Sequence, residues 1–220
     1  MERLNGDRIE MTVDEVEAAI VRELEACGWS DRDALIRFLI FCNRTGRLDR
    51  VPEALNRLYE MAGDGEDRAE IMLWFGQHME KRADYHAAET YYRSALAMRP
   101  ENPAVQYFAN NNLGYSLNQL GRFEEAMPYL EEAVRIEPRR SNAFKNRGLA
   151  LQGLGKYEKA VEQFVEATRA DAADGRSLRH LEELLNEHPE LYDTVPSIEW
   201  MLGECRRAVA QARAARSLVH

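Results

Sequence analysis

The feature that most constrains the fold of this chain is an internal repeat. Two neighbouring segments align at a spacing of 34 residues, with Gly114 opposite Gly148 and Gly121 opposite Gly155. A fixed period of roughly 20–50 residues is typical of stacked supersecondary units, because one unit cannot bury its apolar face alone. The other matched pairs are Asn112 with Asn146, Phe123 with Tyr157, Ala126 with Ala160, Leu130 with Phe164 and Ala133 with Ala167.

An earlier copy of the same pattern lies 38 residues upstream. Four extra residues separate it from the next copy, around the segment 101–106. Asn102 followed by Pro103 is typical of a helix N-cap and first turn. We therefore interpret the insertion as about one extra turn at the start of the next helix. The residues of this earlier copy are Gly76, Ala88, Tyr92, Ala95 and Pro100, which precede Gly114, Ala126, Leu130, Ala133 and Pro138.

Residue sizes within the copies favour pairs of helices. Gly76, Ala88, Ala95 and their equivalents let two helices cross closely, while large residues three or four positions away fill the space between them. Gly121 and Gly155 stand where a C-terminal glycine ends one helix, shortly before an aromatic residue that opens the next. Each copy is therefore predicted to be two helices joined by a glycine turn.

This pattern resembles that of the tetratricopeptide-repeat family. The family signature is a large residue, then Leu-Gly, a second large residue, Ala followed four positions later by an aromatic residue, and finally Pro. Leu113 and Gly114 follow it in the middle copy, and Ala160 with Phe164 follow it in the last copy. The departures are Asn110 in place of an aromatic residue, Arg147 in place of Leu, and Ala172 in place of Pro.

The resemblance implies an all-α fold. It predicts a right-handed α-α superhelix, or solenoid, of about eleven helices without strands, and with capping helices that cover the apolar surface at each end. The domain organisation that we expect is an N-terminal capping helix in 1–30, a degenerate repeat-like helix pair in 31–68, three repeats in 69–174 (69–102, 107–140 and 141–174), and C-terminal capping helices in 175–220.

The register of the degenerate pair is ambiguous in the sequence. Ala54 and Leu58 lie 34 residues before Ala88 and Tyr92, which favours the same register as the repeats. Gly46, taken as the turn glycine, instead favours a register shifted by three residues. The sequence alone leaves both alternatives open.

Composition excludes several classes of protein. The net charge of −9 argues against a general nucleic-acid binder, because phosphate contacts need clustered Lys and Arg. Cys27, Cys42 and Cys205 are widely spaced and form no Cys-x-x-Cys pair, which favours a reducing compartment over a disulfide framework. No stretch approaches a transmembrane helix, and the first residues hold no secretory signal. We therefore expect a cytoplasmic protein without membrane insertion.

The sequence carries no motif of a catalytic or cofactor site. It has no nucleophile elbow, phosphate-binding glycine loop or His-Glu-x-x-His motif. The segment 63–68 is interpreted as a loop, and the ligand spacing of a calcium site is missing there. His180, Glu183 and Glu187 share one helical face, but a single helix offers too few ligands for a metal. We therefore expect no catalytic residue, no metal and no cofactor.

The resemblance also implies a place for a partner. In this family the first helix of each repeat lines a concave face that commonly holds extended peptides. Amide side chains can donate and accept, as a peptide backbone does, and Lys or Arg can receive a carboxylate. Such a stripe is equally typical of a groove that only faces solvent. The residues implied for the groove are Trp74, Gln77, Phe108, Asn111, Asn112, Tyr115, Asn118, Gln119, Asn142, Lys145, Asn146, Arg176 and Arg179.

These observations predict a non-enzymatic protein–protein interaction module. It would act as an adaptor, an assembly factor or a chaperone-like protein that binds a partner peptide or segment in the concave groove. The alternative is a scaffold that self-associates through its terminal helices, because the first segment is acidic and the last helix carries Arg206, Arg207, Arg213 and Arg216. A further alternative is a co-chaperone for acidic C-terminal tails, although few residues of that family's carboxylate clamp are present.

Overall fold

The computed structural model describes residues 12–217, which form helices and connecting turns without a strand. The predictions for residues 1–11 and 218–220, within the two capping segments, lie outside the described residues. The elements are α1 Val13–Ala26, α2 Arg32–Thr45, a 3₁₀ turn Leu48–Arg50, α3 Val51–Met61, α4 Gly65–Lys81, α5 Tyr85–Ala97, α6 Pro103–Gln119, α7 Phe123–Ile136, α8 Ser141–Gly153, α9 Tyr157–Ala170, α10 Arg176–Glu187, α11 Leu191–Thr194 and α12 Ile198–Ser217.

Side chains cap several of these helices. The side-chain oxygens of Asp64, Asp84 and Asn102 accept hydrogen bonds from backbone N–H groups in the first turns of α4, α5 and α6. Such caps satisfy donors that have no partner inside the helix. The predicted start of α6 at Asn102 and Pro103 is confirmed. The predicted loop at 63–68 is wrong for its last four residues, because the Asp64 cap lets α4 begin at Gly65.

Close crossings hold the helix pairs α4–α5, α6–α7 and α8–α9 together. A Cβ atom on Gly114 would lie only 2.4 Å from Leu130 Cγ, and one on Gly148 would lie 2.6 Å from Phe164 Cε1. The equivalent glycine of the first copy meets Tyr92 in the same way. The small and large residues at the repeat spacing therefore form the packing contacts that the sequence predicted.

The array of helices is closed at its C-terminal end by α10 and α12. Helix α12 packs on α9 and α10, and it buries Leu202, Cys205 and Val209 in the core that also holds Phe164. The predicted fold class, an α-α superhelix, is confirmed. The described residues contain twelve α-helices, because the break around Pro189 also includes the single-turn helix α11. No helix among residues 12–217 combines the length and apolarity needed to cross a membrane.

The degenerate helix pair combines both registers that the sequence left open. Ala54 and Leu58 on α3 are buried, as Ala88 and Tyr92 are on α5, so α3 keeps the 34-residue register. Helix α2 nevertheless ends early, with Gly46 in the left-handed conformation, and a 3₁₀ turn fills the remaining distance to α3.

Candidate functional site

The first helices of the repeats lie along the inner side of the array. Helix α4 contacts α6, and α6 contacts α8, whereas α5 and α7 pack mainly on the first helices beside them. Helices on the inner side of a curved array lie closer together, so α4, α6 and α8 line its concave face. We call the surface along α4, α6, α8 and the start of α10 the concave groove.

Three of the predicted groove asparagines lie between α6 and α8. Asn111, Asn118 and Asn146 are only 6%, 8% and 3% exposed. Asn146 Nδ2 donates to Asn111 Oδ1 at 3.0 Å, and Asn118 Nδ2 donates to the Asn146 backbone oxygen at 2.7 Å. Asn111 in turn donates to Asn112 Oδ1 at 2.9 Å. These amides therefore join two repeats beneath the groove, and Asn112, half-buried, lies nearest to its surface.

Asn110 also has a structural explanation. Its Nδ2 donates to the backbone oxygen of Gln106, one turn earlier in α6, at 2.9 Å. That carbonyl belongs to the extra turn created by the four-residue insertion. Asn110 is buried, and its side chain thus bonds within its own helix where the family pattern has an aromatic residue.

Aromatic side chains occupy the middle of the groove. Tyr115 is half-buried, and its ring meets that of Tyr85 edge-on, with the centroids 6.0 Å apart. Burial, followed by the hydrogen bond with Tyr85, raises the pKa of Tyr115 to about 12, so this phenol stays neutral. Phe108 lies towards the start of α6, with the guanidinium of Arg140 4.9 Å from its ring centroid. Both rings are partly exposed aromatic surfaces on α6.

The C-terminal end of the groove carries positive charge. Lys145 is only 9% exposed, and its Nζ donates to Asn142 Oδ1 at 3.1 Å. Burial, with Arg176 nearby, lowers the pKa of Lys145. Arg176 itself is held by Asp174 through two hydrogen bonds of 2.5 and 2.8 Å. Among residues 12–217, Lys145 has no carboxylate within ion-pair distance, and Asp174 favours its charged form only from farther away.

Arg179 and His180 lie next along α10, and Arg179 adds to the positive charge of this end. Burial lowers the pKa of His180, which stacks on Phe164 and contacts Glu183 at 3.4 Å. Arg179 is exposed, as are the predicted groove residues Gln119 and Asn142. No group of three or more His, Cys, Asp or Glu in the described part of the chain is arranged to hold a metal ion.

Sequence reasoning missed an acidic residue on the groove floor, Glu80. It accepts a hydrogen bond from Ser116 Oγ at 3.3 Å, and burial raises its pKa to about 7. The buried Tyr92 hydroxyl also faces Glu80, although their geometry falls short of an ordinary hydrogen bond. Among residues 12–217, no Lys or Arg contributes to the pKa shift of Glu80. Glu80 stands 38 residues before Asn118, so the repeat spacing itself could have identified it.

The remaining predicted residues, Trp74 and Gln77, lie at the N-terminal end of the groove. Both are half-buried, and they line a cavity of about 220 Å³ together with residues of α2. His78 also lines this cavity and was not predicted. The groove thus runs from an apolar cavity at α4, past Glu80 and Tyr115, to the positive end at α8 and α10.

Comparisons with known proteins agree with this architecture. Residues 107–173 match the family model described as "Tetratricopeptide repeat". The protein O-mannosyl-transferase Tmtc2 of Drosophila melanogaster is 37% identical over 68 residues, which make up 31% of this chain and 7% of that protein. The match therefore covers a small part of the relative.

Solved structures share the fold over most of the chain. MamA residues 41 to the end, from Desulfovibrio magneticus RS-1, superpose with a TM-score of 0.60 at 22% identity, covering 84% of this chain and 96% of that one. BtubC from P. vanneervenii gives a TM-score of 0.66 at 16% identity, covering 96% and 93%.

A further solved structure, YrrB, is described as "a TPR protein with an unusual peptide-binding site". It gives a TM-score of 0.58 at 20% identity, covering 90% of this chain and 98% of that one. At such identities the likeness of these structures concerns the fold. The repeat period, the glycine crossings and the matched family model identify residues 107–173 as tetratricopeptide repeats, and the solved structures share the fold over most of the chain.

Proposed function

We propose that the chain is a non-enzymatic interaction module that holds an extended partner segment in its concave groove. The observation that carries this proposal is Lys145. Lys145 is only 9% exposed, its Nζ donates to Asn142 alone among residues 12–217, and Asp174, already paired with Arg176, acts on it only from beyond ion-pair distance. A buried charge without a close counter-charge is costly, and a partner carboxylate would relieve that cost.

The groove offers distinct chemistry along its length. A carboxylate of the partner, either an acidic side chain or a C-terminus, pairs with Lys145 and the exposed Arg179. Tyr115 contacts an apolar part of the segment beside it. Asn112 and Gln119 supply amides that can meet the partner backbone, because Asn111, Asn118 and Asn146 are already bonded between the repeats.

The peptide-binding site named for YrrB supports this proposal by analogy of fold, and its residues are not transferred to this chain. A preformed helical groove loses little conformational freedom on binding, whereas a disordered partner segment becomes ordered on it. We further propose a cytoplasmic location, since Cys27, Cys42 and Cys205 are all unpaired thiols.

Selection from a displayed library of random twelve-residue peptides tests this function. We expect enriched peptides to carry an acidic residue or to depend on a free C-terminus. The variant Lys145→Gln keeps a polar side chain and removes its charge, and it should bind such peptides about tenfold more weakly. Lys159→Gln, on the exposed surface of α9, is the matched control and should bind normally.

Two results would contradict the proposal. One is a failure to enrich any peptide under conditions in which the chain is folded. The other is enrichment of peptides whose affinity is unchanged in both Lys145→Gln and Tyr115→Ala. If only strongly acidic C-terminal tails are enriched, the co-chaperone alternative is favoured over a general adaptor.

One observation favours the alternative of self-association. Trp200 on α12 is 58% exposed, so its indole ring offers a large apolar contact surface to a second copy. Arg206 of the same helix is bonded to Glu182, so the positive face of α12 is partly engaged within the chain. Sedimentation velocity over a range of concentrations and salt should show a dimer that Trp200→Ser abolishes. A monomer under all conditions would remove this alternative.

A further inference from the structure

The structure leaves a gap between α2 and α4 at the N-terminal end of the concave groove. Helices α4, α6 and α8 adjoin one another, whereas α2 is held mainly by α1 and α3. Helix α2 ends at Thr45, with Gly46 in the left-handed conformation, and a 3₁₀ turn follows before α3. The gap is a cavity of about 220 Å³, which we call the α2–α4 pocket.

The walls of the α2–α4 pocket are mostly apolar. Ile36 and Ile40 of α2, Leu55 of α3 and Trp74 of α4 contribute to them. An apolar cavity of about 150 Å³ is enough to hold benzene, so this one can take an aromatic ring or a branched aliphatic side chain. It is smaller than the roughly 300–1,000 Å³ of pockets that enclose whole small-molecule ligands. Its size therefore suits one side chain of a larger partner.

The rim of the α2–α4 pocket is positively charged. Lys81 Nζ donates to Asn43 Oδ1 at 2.6 Å, and Lys81 has no carboxylate within ion-pair distance among residues 12–217. His78 lines the pocket, is only 2% exposed and leaves its Nδ1 without a hydrogen-bond partner. Burial, then Arg82 and Lys81, lower the pKa of His78, and no acidic group offsets them. An anionic group is thus favoured beside an apolar one.

We propose that the α2–α4 pocket binds an aromatic or branched aliphatic side chain of a partner segment whose neighbouring residue carries a carboxylate. The side chain fills the cavity beside Trp74 and Ile40, and the carboxylate pairs with Lys81 at the rim. This inference rests on the proposed function, because it assigns a second anchor to the segment in the concave groove. It fixes the chemistry of that segment at the end opposite to Lys145.

The test uses two small probes in place of the unknown partner. Acetyl-Phe-Asp-amide carries the ring and the carboxylate, and acetyl-Phe-Lys-amide reverses the charge. Each is titrated into the ¹⁵N-labelled full chain while amide chemical shifts are followed by NMR. We expect shifts on α2 and α4 around Ile40 and Trp74, and an affinity at least about fivefold higher for the Asp probe, from attraction in place of repulsion.

Two variants have matched controls on the same chain. Ile40→Asp places a charge on the pocket wall and should weaken the Asp probe at least about tenfold. Val13→Asp is its control, because both side chains are 49% exposed. Lys81→Glu should reverse the preference between the two probes, whereas Lys159→Glu, on the exposed surface of α9, should leave it unchanged.

Several outcomes would overturn the inference. They are an absence of probe binding, chemical-shift changes located away from α2 and α4, and a probe affinity that is unchanged in Ile40→Asp or Lys81→Glu. Concentration-dependent shifts at the pocket without a probe would show a second copy of the chain as its occupant. Probe binding only after deletion of residues 1–11 would show that the chain's own first segment competes for it. If the binding of library peptides depends on Lys145 while neither probe binds, the proposed function of the groove is supported and the inference about the pocket is wrong.

Discussion

Replacing Glu80 with Gln tests the electrostatics of the groove floor. Burial raises the pKa of Glu80 from 4.5 to about 7. The folded chain therefore binds this proton more tightly than the unfolded chain does. The resulting stabilisation is fully present below about pH 4.5 and is lost as the pH rises to about 7. Gln keeps the size of the side chain and its contact with Ser116, but it carries no charge at any pH.

The magnitude follows from the size of the pKa shift. One pKa unit corresponds to about 1.4 kcal/mol, so ionised Glu80 destabilises the fold by about 3 kcal/mol. Of this, about 2.5 kcal/mol develops between pH 5 and pH 8. The free energy of unfolding of Glu80→Gln, relative to the unmodified chain, should therefore rise by at most about 2.5 kcal/mol across that range.

Urea unfolding followed by circular dichroism at pH 5, 6, 7 and 8 measures this difference. Burial lowers the pKa of His78 and of His180, so these groups change stability in the opposite direction over the same range. Their contribution is common to both proteins and cancels in the difference. Glu131→Gln, at an exposed position on α7, is the control and should stay within about 0.5 kcal/mol at each pH. An unchanged difference for Glu80→Gln between pH 5 and pH 8 would refute the reasoning.

Three further predictions concern stability and can be checked by the same urea unfolding at pH 7. Ala83 has a left-handed φ of 57°, so Ala83→Gly should stabilise the fold by about 0.5–1 kcal/mol; a loss of stability would contradict this. Asn111→Ala and Asn146→Ala should each cost about 1–3 kcal/mol, with a coupling of about 1 kcal/mol in the double-mutant cycle; zero coupling would disprove the amide pair. Gly114→Ala should cost about 1–3 kcal/mol because its Cβ would meet Leu130, and a neutral result would mean that the helices can separate freely.

The repeat framework could be predicted because it depends on local size and spacing. Gly114 and Leu130 stand at family positions, and their contact is within one helix pair. The end of α6 near Gly121 and its start at Asn102 follow from rules that involve only a few neighbouring residues. Such features need no knowledge of how one repeat is placed on the next.

The surface of the groove could not be predicted to the same extent. Helical spacing placed Asn111, Asn112 and Asn118 on one side of α6, but spacing does not show that α8 covers two of them. That depends on the distance between successive first helices. Burial raises the pKa of Glu80, whereas Tyr92 and Ser116, which lie 12 and 36 residues away in the sequence, lower it in part.

The α2–α4 pocket was missed for a related reason. The sequence showed that Gly46 was out of register, but not how α2 would be placed against α4. Trp74 and Gln77 were therefore predicted as groove residues without the cavity beside them.

The most direct test of the central claim is an NMR map of a library-selected peptide on the ¹⁵N-labelled chain. If the concave groove is the binding site, the shifted amides lie on α4, α6, α8 and the start of α10, around Gln77, Tyr115 and Lys145. The amides of α5, α7 and α9 on the outer side should stay unchanged. Shifts concentrated on the outer helices or on α12 would contradict the claim.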